Sequence, residues 1–117
     1  DVGNCGSDHA MIRRVLGGAF AAQVDRAHDP DDALAALRER PCDLVLVNRI
    51  LDRDETDGIE LIRRIKADPQ LAAIPVMLIS NYPDAQEAAV RAGALAGFGK
   101  ADLTGGTVPR ALRDALA

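Results

Sequence analysis

Apolar positions in this chain fall into two kinds of run. Leu44 to Val47 and Pro75 to Ile79 are short and continuously apolar, which predicts strands covered on both faces. Elsewhere apolar residues recur every three or four positions, which predicts helices with one covered face. In order, Val2 to Gly6 predicts a short, glycine-interrupted strand. Ser7 or Asp8 is expected to cap a helix through about Gly17, with Met11, Ile12, Val15 and Leu16 on one face and Gly17-Gly18 ending it. Ala19 to Ala27 alternates around Phe20, Ala22 and Val24. Asp29 caps a second helix with Pro30 at its first position, and Pro41 lies beyond its end.

After the run Asp43 to Asn48 comes a polar loop, Arg49 to Gly58, then a helix from about Ile59 to Ala67 that Asp68-Pro69 ends. Pro75 to Ser80 is the fourth strand. Asp84 is expected to cap a helix that stops at Gly93, Leu95 to Gly99 is a weak fifth strand, Thr104 to Thr107 is a loop and cap, and Val108 to Leu116 is a last helix. Five strands alternating with five helices predict an α/β fold with a five-stranded parallel sheet and right-handed crossovers.

The 117 residues, 48% of them apolar, suffice for one domain with its own core, and a single domain, 1–117, is expected. Residue 1 is Asp, so the chain is expected to be part of a longer protein with effector regions outside it. A net charge of −4 and only three aromatic residues argue against nucleic-acid binding. No apolar run is long enough to span a membrane. Cys5 and Cys42 are expected at opposite ends of the sheet, beyond the roughly 7 Å bridging limit, hence free thiols that pack in the core in a reducing cytoplasm.

One residue changes the picture. The strand Asp43 to Val47 delivers Asn48 to its C-terminal tip, where ligands sit in parallel sheets. A carboxylate there could act as a phosphoryl-accepting nucleophile; a carboxamide could not.

The segments DLVLVN, DGIELIRRIKADPQLAAIPVMLIS and AVRAGALAGFGKADL resemble the response-regulator receiver domain of two-component signalling over nearly the whole chain, Val2 to Leu116. The resemblance implies a flavodoxin-like three-layer sandwich with strand order 2-1-3-4-5. It places the phosphoacceptor position at Asn48, the switch hydroxyl at Ser80 and the phosphate-pairing lysine at Lys100. Counting back from Ile12, it places the acidic pair at Ser7 and Asp8, leaving Asp8 as a weak, incomplete Mg2+ ligand. The usual proline after the lysine is Ala101, and the usual aromatic three before it is Gly97.

Phosphoryl transfer to a carboxylate needs a nucleophilic oxygen, a cation and a cationic clamp. Asn48 and Ser7 each remove a negative charge. One unit charge about 4 Å from another is worth about 4 kcal/mol at an effective dielectric of about 20, so Mg2+ affinity is expected to fall well below that of a complete receiver. Lys100 is then expected to pair with Asp8 or the Asn48 carbonyl, or to bind an external anion.

The loop Asp52 to Gly58 is acidic, but its glycine is in the seventh place and Arg63 in the twelfth, which breaks a calcium-loop register. Solvated charges are expected there, with Asp52 or Asp54 as the alternative, a surrogate acceptor or cation ligand. His9 is expected to be solvated. Gly3-x-x-Gly6 lacks the Lys-Ser/Thr ending of a phosphate loop.

These readings predict a cytoplasmic, bacterial pseudo-receiver without enzymatic activity, working by protein–protein contact. Its partner is expected to be a histidine kinase, an effector domain or itself, through the face formed by the fourth helix, fifth strand and fifth helix. The alternatives are a working receiver that uses a nearby carboxylate and a flavodoxin-like small-ligand binder.

Overall fold

The computed structural model describes residues 1–106 and 108–116, so the expected cap at Thr107 lies outside the described residues. In chain order the elements are α1 (Gly6–Phe20), α2 (Pro30–Glu39), β1 (Val45–Asn48), α3 (Gly58–Ala67), β2 (Val76–Ile79), α4 (Pro83–Arg91), β3 (Leu95–Phe98), a 3-10 helix (Lys100–Gly106) and α5 (Arg110–Leu116). The sheet is parallel, in the order β1-β2-β3, with Asn48 level with Ile79 at its C-terminal edge.

Alternation along the strands divides the core in two. Val45, Val47, Val76 and Leu78 pack with α2, α3 and Ala89 of α4, whereas Leu46, Met77, Ile79 and Phe98 pack with α1, Leu103 and Leu112 of α5. The result is a sheet between two helical layers, with Ile62 and Ile65 of α3 fully buried on one side and Ile12 of α1 on the other.

The expected five strands in order 2-1-3-4-5 are corrected to three. The first and second passes touch the sheet only at single parallel bridges, Val2 with Val47 and Val2 with Ala27. Gly3 turns the first pass out of the extended conformation at φ 78°, pressed against Leu51 where a Cβ would not fit. In the second pass only Ala27 is buried, so little apolar burial holds it to the sheet.

Helix limits also move. Gly17-Gly18 do not stop α1, which runs to Phe20 and ends at Ala21 in the left-handed conformation. Two glycines cost about 2 kcal/mol of helix propensity, comparable to what burial of one of Ile12, Val15 or Leu16 on the same helix returns. The N-cap of α1 is Cys5 and that of α4 is Tyr82, neither capping through its side chain, in place of the expected Ser7 or Asp8 and Asp84. Asp29 does cap α2, accepting from Asp32 N–H, with Pro30 at the helix start. Among the described residues no helix is long and apolar enough to cross a membrane.

Candidate functional site

Parallel strands bring Asn48, Ser80 and Lys100 to one edge. Asn48 ends β1, Ser80 follows β2, and Lys100 opens the 3-10 helix just after β3. That short helix is fixed from both sides: Asp102 Oδ2 accepts from Gly99 N–H at 2.9 Å, and Asn81 Oδ1 accepts from Ala101 N–H at 3.2 Å.

Asn48 is half-buried, and its amide nitrogen donates to Ile50 O at 2.7 Å and Gly3 O at 3.3 Å. The side chain thus ties the end of β1 to the loop that follows it and to the first pass of the chain. Ser80 is 8% exposed and its Oγ accepts from Tyr82 N–H at 3.1 Å, closing the turn into α4. Lys100 Nζ lies 2.7 Å from Asp8 Oδ2. Lys100 holds the Asp8 carboxyl below the usual carboxylate range, and the Cys5 thiol, which also donates to Asp8, adds to the effect against partial desolvation. Among the described residues Lys100 makes no hydrogen bond to Asn48 or Ser80.

Asn48 N–H bonds to Val2 O and Gly3 N–H bonds to Ala27 O, so the first pass is tied to both of its neighbours up to Gly3. Ser7 and Asp8 lie beyond it, in the first turn of α1. Asn4 is fully buried, donates to Asp1 Oδ1 at 2.5 Å and leaves its own Oδ1 without a partner.

The acidic loop does not converge on this edge. Asp52 lies 3.3 Å from His28 Nδ1 and 3.7 Å from Arg26 Nη2, and Asp54 accepts from Thr56 N–H in a local turn. His9 is not solvated as expected: its Nδ1 is 2.6 Å from Asp1 Oδ2 and its side chain is 15% exposed. Both cysteines are free, but Cys5 is exposed rather than packed in the core, and Cys42 is half-buried.

A hard dication does not suit the donor set at the edge. Mg2+ needs oxygen ligands. Asn48 directs its N–H groups at Ile50 O and Gly3 O, and Asp8 is taken by an ammonium. Among the described residues no three His, Cys, Asp or Glu side chains gather as a metal site.

Two further residues organise the edge and were not legible as site residues. Gln86 Nε2 donates to Leu78 O, Ser80 O and Phe98 O at 2.9, 3.1 and 3.3 Å, and Gln86 Oε1 accepts from Gly97 N–H at 3.1 Å. It fills the gap opened where the β2–β3 register slips between Met77 and Ile79. A Cβ at residue 97 would run into Leu78 O and crowd Gln86 Oε1, so the missing aromatic and the glutamine are two sides of one arrangement. Leu51, fully buried inside a loop that reads as polar, anchors that loop under Gly3. A glutamine three positions before the buried Ala89 was the one available signal for the first; a lone leucine among charges was too weak for the second.

The response regulator receiver domain model matches residues 7–100. The chain is 30% identical over 102 residues to the gliding motility regulatory protein of Myxococcus xanthus, covering 82% of this chain and 13% of that protein. It is 35% identical over 98 residues to the transcriptional regulatory protein ZraR of Salmonella typhimurium, covering 81% and 20%. The chain therefore spans a fifth or less of the length of these curated relatives. Among solved structures, NtrX from Brucella abortus superposes with a TM-score of 0.74 at 28% identity, over 85% of this chain and 22% of that one. The signal receiver domain of a DNA-binding response regulator protein (merR) from Colwellia psychrerythraea gives 0.70 at 25% identity, over 86% and 82%. With its sheet-edge residues in place and its sequence matched across most of its length, the chain belongs to the response regulator receiver domain family.

Proposed function

We propose that this domain is a pseudo-receiver: a signalling module of a bacterial, cytoplasmic two-component or phosphorelay protein that acts by protein contact and takes no phosphoryl group. The observation that carries this reading is the Asn48 amide, spent on Ile50 O and Gly3 O at the position where a receiver holds its nucleophile. Three others support it. Ser7 beside Asp8 leaves a single carboxylate in the first turn of α1. Lys100 is paired with Asp8 and needs no phosphate to satisfy it. Gln86 and Gly97 stand where hydroxyl-to-aromatic switching would need a ring.

The domain is not an enzyme on this reading. Its contact surface is the face made by α4, β3 and α5, which exposes Val90 and Leu95 at 47% each and Tyr82 at 61%. The partner is a histidine kinase, an effector domain or a second copy.

The test is intact mass after incubation with a small phosphodonor and Mg2+. An unchanged mass is expected. A hydroxylamine-labile adduct would overturn the reading in favour of a surrogate acceptor such as Asp52 or Asp54, which the variants Asp52→Asn and Asp54→Asn would then locate.

A further inference from the structure

Helix α4 is thinly packed on the sheet. Ala89 is the one buried residue of the helix, and Ala85, Ala88 and Ala92 touch the core from partly buried positions. Of the four residues of β3, which α4 adjoins, only Phe98 is buried. Methyl groups make shallow ridges, so apolar packing by itself fixes the height of α4 along the sheet only weakly.

Gln86 supplies what packing does not. Between the pairs Met77–Leu95 and Ile79–Phe98, β2 advances two residues and β3 three, so the ladder is interrupted there. The Gln86 carboxamide stands in the interruption. Its Nε2 donates to Leu78 O at 2.9 Å and its Oε1 accepts from Gly97 N–H at 3.1 Å, one donor and one acceptor, as a peptide group would present them. Nε2 also reaches Ser80 O at 3.1 Å and Phe98 O at 3.3 Å. Main-chain pairing resumes beside it, where Ser80 N–H donates to Phe98 O at 2.9 Å. A side chain of α4 thus completes the pairing of β2 with β3.

We propose that Gln86 is a side-chain rung that makes α4 and the β2–β3 pairing one moving part, and so holds the face carrying Tyr82, Val90 and Leu95 in a single arrangement. For α4 to slide along the sheet or lift from it, the carboxamide must leave Leu78 O, Ser80 O and Gly97 N–H in the same step, which removes small independent motions of the helix. A neutral amide does not titrate and carries no charge for salt to screen, so the hold is the same across pH and ionic strength wherever the domain is folded. A partner of this face therefore meets a preformed surface and pays no ordering cost on it. The coupling deepens the reading of this face as a contact surface and rests on nothing at Asn48, so a phosphoryl adduct and a mobile α4 are separate failures.

The test is nitrogen-15 relaxation dispersion with amide hydrogen exchange, on the natural chain and on Gln86→Leu, which keeps the bulk of the side chain and loses its amide. The natural chain is expected to show no microsecond-to-millisecond exchange in α4 or β3, in low or high salt. In Gln86→Leu, α4 and β3 are expected to exchange together at one shared rate, and Gly97 N–H to exchange with solvent roughly tenfold faster or more, while α1 and α3 stay as they were. Exchange in α4 or β3 of the natural chain would overturn the proposal whatever the variant does. A variant in which Gly97 is freed while α4 stays quiet would also overturn it, as would acceleration spread evenly over the whole domain. Should Gln86→Leu not fold, Gln86→Glu takes its place with the same expectations, since it keeps the acceptor for Gly97 N–H and loses every donor.

Discussion

Asn48 Nδ2 sits 2.7 Å from Ile50 O, so the side chain at the strand tip hydrogen-bonds the main chain of the loop it leads into. The contact converts the most chemically exposed corner of a receiver fold into a structural joint. It also makes the effect of restoring a carboxylate calculable in direction.

Asn48→Asp places an anionic oxygen against two carbonyl oxygens, Ile50 O and Gly3 O. Two hydrogen bonds are lost and like dipoles face each other, a cost of about 1–3 kcal/mol at neutral pH. The three oxygens then form a cluster that a hard cation can bind. Urea melts are expected to show the variant recovering stability as Mg2+ is added, while the natural chain does not respond. A variant as stable as the natural chain without Mg2+ would contradict the hydrogen-bond account.

Asp8 gives the site its acid sensitivity. Its folded-state pKa lies below the ordinary 3.8, chiefly through Lys100. The stabilisation is therefore fully present above that ordinary value and is lost as pH falls through the lower, folded-state one. Lys100 and Asp8 are 33% and 27% exposed, so solvent screening limits the pair to about 0.2–1 kcal/mol. Asp8→Asn is expected to remove that part of the slope of stability against pH below 3.8, checked by urea midpoints across an acid series.

Gln86 and Gly97 are expected to behave as one unit. Gln86→Ala takes its side-chain partner from Gly97 N–H, Leu78 O and Ser80 O, while Phe98 O keeps Ser80 N–H, for a loss of about 1–3 kcal/mol. Gly97→Ala forces strand β3 away from Leu78 O at about 1–3 kcal/mol. Because a methyl at 97 also displaces the Gln86 side chain, the double variant should lose less than the two single losses together, by about 0.5 kcal/mol or more. Strict additivity in a double-mutant cycle would separate them.

Leu51→Ala tests the buried anchor of the long loop. Leu51 is fully buried, so truncation is expected to cost about 2–5 kcal/mol. Loop amides Asp52 and Glu55, which donate to Gly3 O and Leu51 O, should exchange faster well before global unfolding. Charge reversals at Asp52 or Glu55, by contrast, should change stability by less than about 0.5 kcal/mol.

Much of this was readable one residue at a time. The runs ending at Asn48 and Ser80 are so uniformly apolar that only a doubly covered strand suits them, and both form with those residues at the sheet edge. Asp29-Pro30 announces a helix start because its cap is local chemistry. The first two strands were not readable in the same way, since pairing depends on partners distant in sequence, and Gly3 and the polar face of Gln23 to Arg26 leave each with a single bridging residue, Val2 and Ala27.

By itself, the sequence determined the two central strands, the helical faces, the family resemblance and the absence of a carboxylate at residue 48, because each is a property of local composition and period. Only the tertiary structure decided that Asn48 turns its amide to Ile50 O and Gly3 O, that Asp8 rather than Asn48 receives Lys100, and that Gln86 occupies the space above Gly97. These are contacts between segments up to 92 positions apart (Asp8 to Lys100), and no local pattern records which polar group will find which partner once the chain closes on itself.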